Sequence, residues 1–244
     1  MSNKRLKALV GCAVLAAQWA LPPSASAVGN GVGFVFREDQ VPGANARALG
    51  ANSMDFTYHA CVHFTDVDSF RESGYFWISS FQNPVGVVDS QINYYLANGY
   101  RIYAKYSFDA DQWGGPQPTP SGTRLNYVVS QARLSLFLDW DQNTVLGLQN
   151  CQPVGNTDGD IFLGSCNAII SGEKSETDGQ ANGDFDIRFA NWVFTAAGQA
   201  MFRNGMGNPL LANQLIFNAN VTLLNGPLGD DHRPEGSGNL YWID

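Results

Sequence analysis

Apolar and polar residues alternate with a period of two along several stretches of this chain, which is the pattern of half-buried β-strands. The longest such stretch, residues 100–109, places aromatic and aliphatic side chains on one face and mainly charged side chains on the other. The same alternation returns around Leu136, Ile187 and Phe217. Helical periodicity is confined to residues 84–96 and 196–202, so the pattern predicts an all-β protein with little helix.

Clusters of Gly, Pro, Asn and Ser separate these strands and mark polar loops. They lie at residues 114–116, 118–122, 156–159 and 225–227. Many strands joined by polar loops are typical of two antiparallel sheets packed face to face. The sequence therefore predicts an antiparallel β-sandwich of jelly-roll character, with 15 Phe, nine Tyr and six Trp residues supplying much of its core.

The N-terminal segment has the three parts of a secretory signal peptide. Basic residues precede an apolar run from Ala8 to Leu21, and a small-residue cleavage site ends at Ala27. The run has 14 residues, fewer than the ~20 that cross a membrane as a helix. The alternative, a lipid on Cys12, is disfavoured because the apolar run mostly follows the cysteine instead of preceding it.

Removal of residues 1–27 would leave residues 28–244 as a single β-sandwich domain. We expect this domain to be secreted by a bacterium, on its outer surface or in its matrix, with no membrane attachment after cleavage. Cleavage removes three of the 14 basic residues and none of the 22 acidic ones, so the formal charge falls from −8 to about −11. Nucleic acid is disfavoured as a partner, because binding it depends on neutralising phosphates with basic side chains.

Three cysteines remain after the predicted cleavage, and the odd number leaves one without an intramolecular partner. Cys151 and Cys166 lie in one Gly- and Asn-rich stretch, so they are the predicted disulfide in an oxidising compartment. Closing that loop would stabilise the fold by about 3 kcal/mol. Cys61 is then predicted to be a buried free thiol or, as the alternative, an intermolecular link that supports self-association.

Asp139, Asp141 and Asn143 place oxygen side chains at alternate positions after an apolar strand, as in loops that bind Ca²⁺. An EF-hand is excluded, because Thr144 and Asn150 stand where its glycine and glutamate would be. The alternative is a polar turn in which the three side chains cap their own backbone. Calcium needs six to eight oxygens, so it is the predicted cofactor only if another acidic loop converges on these residues. The candidate loops are residues 156–160, 178–186 and 230–231.

The sequence contains no Gly-x-Ser-x-Gly motif for a serine nucleophile. The candidate general base for such a nucleophile is His232, which lies in a polar loop near the C-terminus. A glycosidase would need two carboxylates, and Asp139 with Glu173 or Asp184 is the pair the sequence offers. We therefore predict a protein that is not an enzyme, with a polysaccharide hydrolase as an alternative. A calcium-braced carbohydrate-binding module is a further alternative, in which exposed aromatic rings stack on sugars. Its candidate residues are Trp113, Trp140 and Trp192.

Several stretches resemble the flocculation-associated PEP-CTERM proteins, which are secreted surface proteins of exopolysaccharide-producing, floc-forming bacteria. The similar stretches are residues 100–106 (YRIYAKY), 134–144 (LSLFLDWDQNT), 160–164 (DIFLG), 181–186 (ANGDFD) and 236–242 (GSGNLYW). The resemblance implies a non-enzymatic matrix or cell-surface role in floc or biofilm formation, with extracellular polysaccharide or other matrix proteins as partners. That family ends in a Pro-Glu-Pro motif, an apolar helix and a basic tail, whereas this chain ends at Asp244, so we expect release rather than retention by that route.

Overall fold

The structure is a computed structural model that describes residues 33–93, 99–120, 122–149, 152–177, 183–211, 213–225 and 233–243. Side chains of residues 222–225 are not part of the description. The predicted signal peptide, residues 1–27, lies outside the described residues and stays a prediction. Cys151 and His232 also lie outside them.

Strands dominate the described residues. They are β1 (Phe34–Arg37), β2 (Ala48–Ala51), β3 (Ser53–Asp66), β4 (Ser69–Asn83), β5 (Gly86–Val88), β6 (Arg101–Gln112), β7 (Gln117–Thr119), β8 (Gly122–Asp139), β9 (Val145–Gln149), β10 (Gln152–Asn156), β11 (Ile161–Cys166), β12 (Ala168–Thr177), β13 (Gly183–Ala190), β14 (Val193–Phe194), β15 (Phe202–Arg203), β16 (Gln214–Asn225) and β17 (Arg233–Ile243). One α-helix, α1 (Ala196–Met201), and one 3₁₀ turn (Glu38–Gln40) complete these elements.

Eight of the strands close into an antiparallel barrel in the order β12, β13, β16, β17, β3, β4, β6, β8. The ring closes because β8 also pairs with β12, with Tyr127 opposite Lys174 and Val128 opposite Glu173. Farther along, β8 leaves β12 and pairs with β11 from Leu134 to Leu138. β8 thus pairs with four strands, β6, β7, β11 and β12, and the sheet curls back on itself.

The predicted jelly-roll sandwich is therefore wrong, although the all-β prediction is confirmed. The strands themselves were correctly located, since all four alternating stretches of the sequence fall in β6, β8, β13 and β16. Apolar residues alternate with polar ones in the same way whether a sheet packs on a second sheet or closes on itself. The pairing of β8 with β12 distinguishes a closed barrel from a sandwich. The alternation of apolar and polar residues does not indicate which strands pair.

The barrel interior is filled mainly by aromatic side chains. Phe56 and Phe76 stack at 4.6 Å between ring centroids, and Phe185 packs against Phe217 at 4.7 Å. All four side chains are at most 1% exposed. Rings at these separations contribute attraction beyond the burial of their area, so this aromatic centre stabilises the closed ring.

A small sheet and α1 cover one end of the barrel. β1 pairs with β2 and β15, and its Phe34 and Phe36 pack on Phe202, with ring centroids 5.7 and 5.1 Å apart. α1 begins after Thr195, whose hydroxyl accepts a hydrogen bond from the Gly198 N–H. The predicted helix at 196–202 is confirmed, but described residues 84–93 hold β5 and a bridge instead of the second predicted helix. Within the described ranges, no helix is long and apolar enough to cross a membrane.

The cysteines differ from their prediction. Cys166 ends β11 as a buried free thiol, so it does not form the predicted disulfide with Cys151. Its side chain is directed into the barrel core, where it is 4% exposed, and burial raises the pKa of the thiol. Cys61, on β3, is instead disulfide-bonded, although no disulfide joins two of the described residues.

Candidate functional site

The loop that follows β8 contains the first group of candidate residues. Asp139, the last residue of β8, is fully buried, and its carboxylate accepts hydrogen bonds from the N–H groups of Asn143 at 3.1 Å and Thr144 at 3.3 Å. Asp141 accepts a bond from the side-chain amide of Asn143 at 2.7 Å. Gln142 turns the chain with a φ of 57°. The predicted polar turn is therefore present, and Asn143 donates hydrogen bonds to the carboxylates of Asp139 and Asp141 within it.

A second acidic loop converges on this turn. β11 pairs with β8 so that Ile161 lies opposite Leu138, which brings Asp160 beside Asp139. One carboxylate oxygen from each of Asp139, Asp141 and Asp160 lies within 4.8 Å of the others. The convergence that a calcium site requires is thus present, with Asp160 in the place predicted for Asn143. Sequence offered one signal for it: Asp160 directly precedes an apolar strand, as Asp139 directly follows one.

The electrostatics of this three-aspartate cluster favour a bound cation. Burial, a hydrogen bond with Asp141 and the charge of Asp160 together raise the pKa of Asp139 to about 6. Asp160 accepts bonds at Oδ2 from the hydroxyls of Tyr103 at 2.5 Å and Thr144 at 2.7 Å. Its Oδ1 is buried and accepts no hydrogen bond. Three carboxylates are hard oxygen ligands of the kind that Ca²⁺ takes, and they supply part of its shell of six to eight.

Trp140 links the two acidic loops. Its indole N–H donates to the carbonyl oxygen of Gly159 at 3.2 Å, and its side chain is 38% exposed. The hydrogen bond therefore fixes one edge of the Trp140 ring against the two loops, while another part of the ring faces solvent. Of the three predicted glycan-binding tryptophans, Trp140 lies next to the aspartate cluster.

Trp113 lies elsewhere, at the rim of a cleft of about 230 Å³ on the outside of the barrel. Its N–H donates to the carbonyl oxygen of Asn126 at 2.8 Å, which fixes the backbone, and 68% of its side chain is exposed. The cleft crosses β8, β12 and β13. We call it the Trp113 cleft, and its polar lining includes Arg124, Asn126, Glu173, Lys174, Ser175, Asp184 and Asp186.

Donors and acceptors are fixed along the floor of the Trp113 cleft. Arg124 donates to Ser175 at 2.8 Å and to Asp184 at 3.4 Å. Glu173 and Asp186 are directly opposite each other on β12 and β13. An exposed ring beside a guanidinium and several carboxylates offers both a flat apolar surface and bidentate hydrogen-bonding groups, which is the combination that sugar rings need.

Trp192 has a different environment from the one predicted. Only 5% of it is exposed, and its ring packs on Phe194 and Trp242 at centroid distances of 5.5 and 6.1 Å. Its neighbour Val193 occupies the outward position at 65% exposure, so the alternation of the chain directs Trp192 inward. The prediction that Trp192 binds glycan is wrong.

The carboxylate pair proposed for a hydrolase is not brought together. Glu173 and Asp184 line the Trp113 cleft, whereas Asp139 lies at the far end of β8. Asp139 lies eleven residue steps along β8 from Val128, the partner of Glu173, which corresponds to roughly 35 Å along the strand.

Sequence reasoning missed a group of charged residues inside the barrel. Lys174 on β12 is fully buried and forms ion pairs with Glu72 and, at 2.7 Å, with Glu176. Tyr106 donates its hydroxyl to Glu72 at 2.8 Å. Burial alone would lower the pKa of Lys174, but the two carboxylates outweigh it and raise the pKa. Charged residues at inward positions of a strand carry no local sequence signal, because nothing nearby in the chain reveals their partners.

Comparison of the chain with models of protein families, with curated proteins and with solved structures finds no match. The resemblance to flocculation-associated PEP-CTERM proteins therefore stays a prediction.

Proposed function

We propose that this chain is a secreted, non-catalytic glycan-binding protein of a bacterial extracellular matrix, where it contributes to the aggregation of cells in flocs or biofilms. The observation that carries the proposal is the exposed ring of Trp113 at the rim of a cleft lined with fixed polar groups. The resemblance to flocculation-associated PEP-CTERM proteins supports the matrix role. Extracellular polysaccharide is the proposed partner.

The charges of the Trp113 cleft indicate which sugars it accepts. Glu173, Asp184 and Asp186 outnumber the two cations, Arg124 and Lys174, and the charge of Lys174 is already paired with Glu72 and Glu176, so the cleft repels anionic sugars. Carboxylates accept hydrogen bonds from hydroxyl groups, and Arg124 donates to ring or hydroxyl oxygens. A neutral polysaccharide is therefore the proposed ligand, with one sugar ring stacked on Trp113.

Binding without hydrolysis is favoured by the exposure of these carboxylates. Glu173, Asp184 and Asp186 are all exposed on the outer wall of the barrel. Glycosidases enclose the bond that they cleave between two carboxyl groups of unequal environment. An open surface with three exposed acids fits the recognition of hydroxyl groups better than it fits acid catalysis.

Calcium has a bracing role in this proposal. Asp139, Asp141 and Asp160 would hold the ion between the loop after β8 and the loop before β11. The ion would neutralise the repulsion of three close carboxylates and fix both loops. The Trp113 cleft is at the other end of β8, so its binding of sugar does not depend on that ion.

The test is isothermal titration of the purified chain with neutral oligosaccharides, such as fragments of glucan, galactan and mannan. Trp113→Ala is expected to weaken binding at least tenfold, the equivalent of about 1.4 kcal/mol. Leu211→Ala is the control, because Leu211 is 83% exposed and lies outside the cleft. Equal affinity of Trp113→Ala and the unchanged chain would contradict the proposal, as would the absence of binding to any neutral glycan.

The matrix role has its own test in the producing bacterium. Deletion of the gene should reduce floc or biofilm mass, and the unchanged gene should restore it. A gene that encodes Trp113→Ala should restore less than one that encodes Leu211→Ala. Unchanged aggregation after deletion, over a range of growth conditions, would reject the matrix role while leaving sugar binding intact.

A further inference from the structure

The outer face of β4, β6 and β8 carries a second group of polar residues, away from the Trp113 cleft. Strand register arranges their outward side chains in successive rows across the three strands. The first three rows are Arg71, Asp109 and Gln131, then Ser73, Ser107 and Arg133, then Tyr75, Lys105 and Ser135. Neighbouring rows are ~7 Å apart, because outward residues alternate along a strand.

Each of these rows contains one cation, which is unusual in a chain with a formal charge of −8. Asp109 is the acid on this patch, and Arg71 holds it through two hydrogen bonds of 2.6 and 2.9 Å. Lys105 and Arg133 form no ion pair with any residue that the structure describes. This patch therefore has two positive charges available to a ligand.

A groove of about 240 Å³ lies over the first two rows. Ser73, Ser107 and Arg133 line it, together with the Arg71–Asp109 pair. The Ser73 side chain is completely buried, and its hydroxyl has no hydrogen-bond partner. A buried hydroxyl without a partner costs about 1–3 kcal/mol, and a ligand oxygen in the groove would remove that cost.

The start of β10 borders the groove. Gln152, the first residue of β10, contributes to the lining. Cys61 stands opposite Ser73 on β3, beside the groove, and is disulfide-bonded. A covalent link opposite Ser73 restrains β3 beside the strand that contributes Ser73 to the groove.

We propose that this groove binds the carboxylate of an acidic sugar, and that the protein thereby binds anionic polysaccharide at a site separate from the Trp113 cleft. The Arg133 guanidinium offers paired N–H donors that match the two oxygens of a carboxylate. The Ser73 hydroxyl supplies a further donor. Lys105, one row farther along, attracts the charge of a neighbouring sugar. The inference rests on the proposed glycan-binding function and adds a second class of glycan to it.

The apolar residues that follow the groove suit a sugar better than an inorganic anion. In the row after Lys105, Trp77 and Phe137 are partly exposed, and Phe137 stacks on the buried Tyr103 at 5.1 Å between centroids. The Lys105 ammonium lies 5.8 Å from the Phe137 ring centroid. A sugar ring whose carboxylate occupies the groove would extend over this apolar end of the surface. Free sulfate or phosphate would use the cations alone.

The test is isothermal titration of the full chain with oligogalacturonate and with the same oligomer after methyl esterification, which removes the charge and keeps the backbone. We expect the acidic form to bind at least tenfold more tightly, with an affinity that falls as salt rises from 20 to 200 mM. Arg133→Gln and Lys105→Gln should each weaken it about tenfold. The control, Arg188→Gln, removes a cation of β13 that bonds Gln214, and should have little effect.

Several outcomes would overturn the inference. Equal affinity for the esterified and acidic oligomers would show that the carboxylate is not recognised. An equal loss of affinity for the acidic oligomer in Arg188→Gln and Arg133→Gln would show that binding depends on the net charge of the protein and not on the groove. Sulfate alone binding as tightly as the acidic oligomer, with the same dependence on Arg133, would assign the groove to inorganic anions. Loss of neutral-glycan binding in Trp113→Ala, with oligogalacturonate binding unchanged, would keep the two sites distinct and support both.

Discussion

Asp139 and Asp160 lie side by side because Leu138 and Ile161, their neighbours in the chain, are paired between β8 and β11. Together with Asp141 they form a three-aspartate cluster whose like charges repel when all are ionised. A cation or a proton relieves that repulsion. The cluster therefore predicts that stability depends both on calcium and on pH.

Calcium is expected to raise the unfolding temperature of the purified chain at pH 7.5. A ligand that binds the folded state alone, at a hundred times its Kd, stabilises it by about 2.7 kcal/mol, which for a domain of this size is a shift on the order of 5 °C. Asp160→Asn keeps the oxygen that accepts from Tyr103 and Thr144 but removes a charge, and should abolish the shift. Differential scanning calorimetry with calcium and with chelator measures it.

Asp158→Asn is the matched control for calcium, since Asp158 is an exposed acid of the same loop outside the cluster. It should keep the full shift. A temperature that does not respond to calcium in the unchanged chain would reject the metal site and leave the cluster as a polar turn.

The raised pKa of Asp139 predicts that stability falls as pH rises from about 4 to 6. The folded state holds the proton up to a pKa of about 6, whereas the unfolded state releases it near 3.8, so the folded form is favoured below this window. The contribution lost is on the order of 1–3 kcal/mol. Urea unfolding without calcium should show Asp139→Asn gaining stability relative to the unchanged chain between pH 4.5 and 7.5. A constant difference over that range would contradict the shifted pKa.

Lys174 is expected to be essential to the barrel interior. Lys174→Met would leave Glu72 and Glu176 buried without their cation, and should lower the free energy of unfolding by about 3–5 kcal/mol. Adding Glu72→Gln and Glu176→Gln to that variant should restore much of the loss, since no charge is then left uncompensated. Lys105→Met, at a partly exposed position, should cost less than about 1 kcal/mol. Equal losses in Lys174→Met and Lys105→Met, by urea unfolding, would show that the buried ion pairs have no special weight.

The state of the cysteines predicts different responses to reductant. Reduction should lower the unfolding temperature of the unchanged chain and of Cys166→Ala alike, because Cys166 is a free thiol. Cys61→Ala should be less stable and insensitive to reductant, because Cys61 is the disulfide-bonded residue. Native Cys166 should also resist alkylation until the chain unfolds, since its thiol is buried. Rapid alkylation of native Cys166, detected by mass spectrometry, would contradict its burial.

Local patterns predicted the strands but not their closure. The alternation around Tyr106 and Phe217 locates β6 and β16, because burial of one face is a property of each strand alone. Pairing of Lys174 with Tyr127 depends on residues far apart in the sequence, so nothing local indicates a barrel instead of a sandwich. The sequence named residues 156–160 as one of three candidate loops, but the place of Asp160 beside Asp139 follows from strand register.

Amino-acid composition also did not predict which individual side chains are exposed and which are buried. Trp113 and Trp192 are the same residue type, yet one is 68% exposed and the other 5%. Proximity in sequence suggested that Cys166 would pair with Cys151, whereas the fold buries its thiol in the core. Residue type identified the candidates, and the course of the backbone determined which of them reach the surface.

Closure of the barrel also limits how one molecule can join another. Each of its eight strands has a neighbour on both sides within the ring, so the ring offers no continuous edge to which a strand of a second copy could add. Growth into amyloid-like fibres by strand addition is thereby disfavoured. In the matrix role proposed above, such a protein would act as a discrete particle that links polymers through its side chains, and the cohesion of the network would then depend on the number of bound polymer chains per particle.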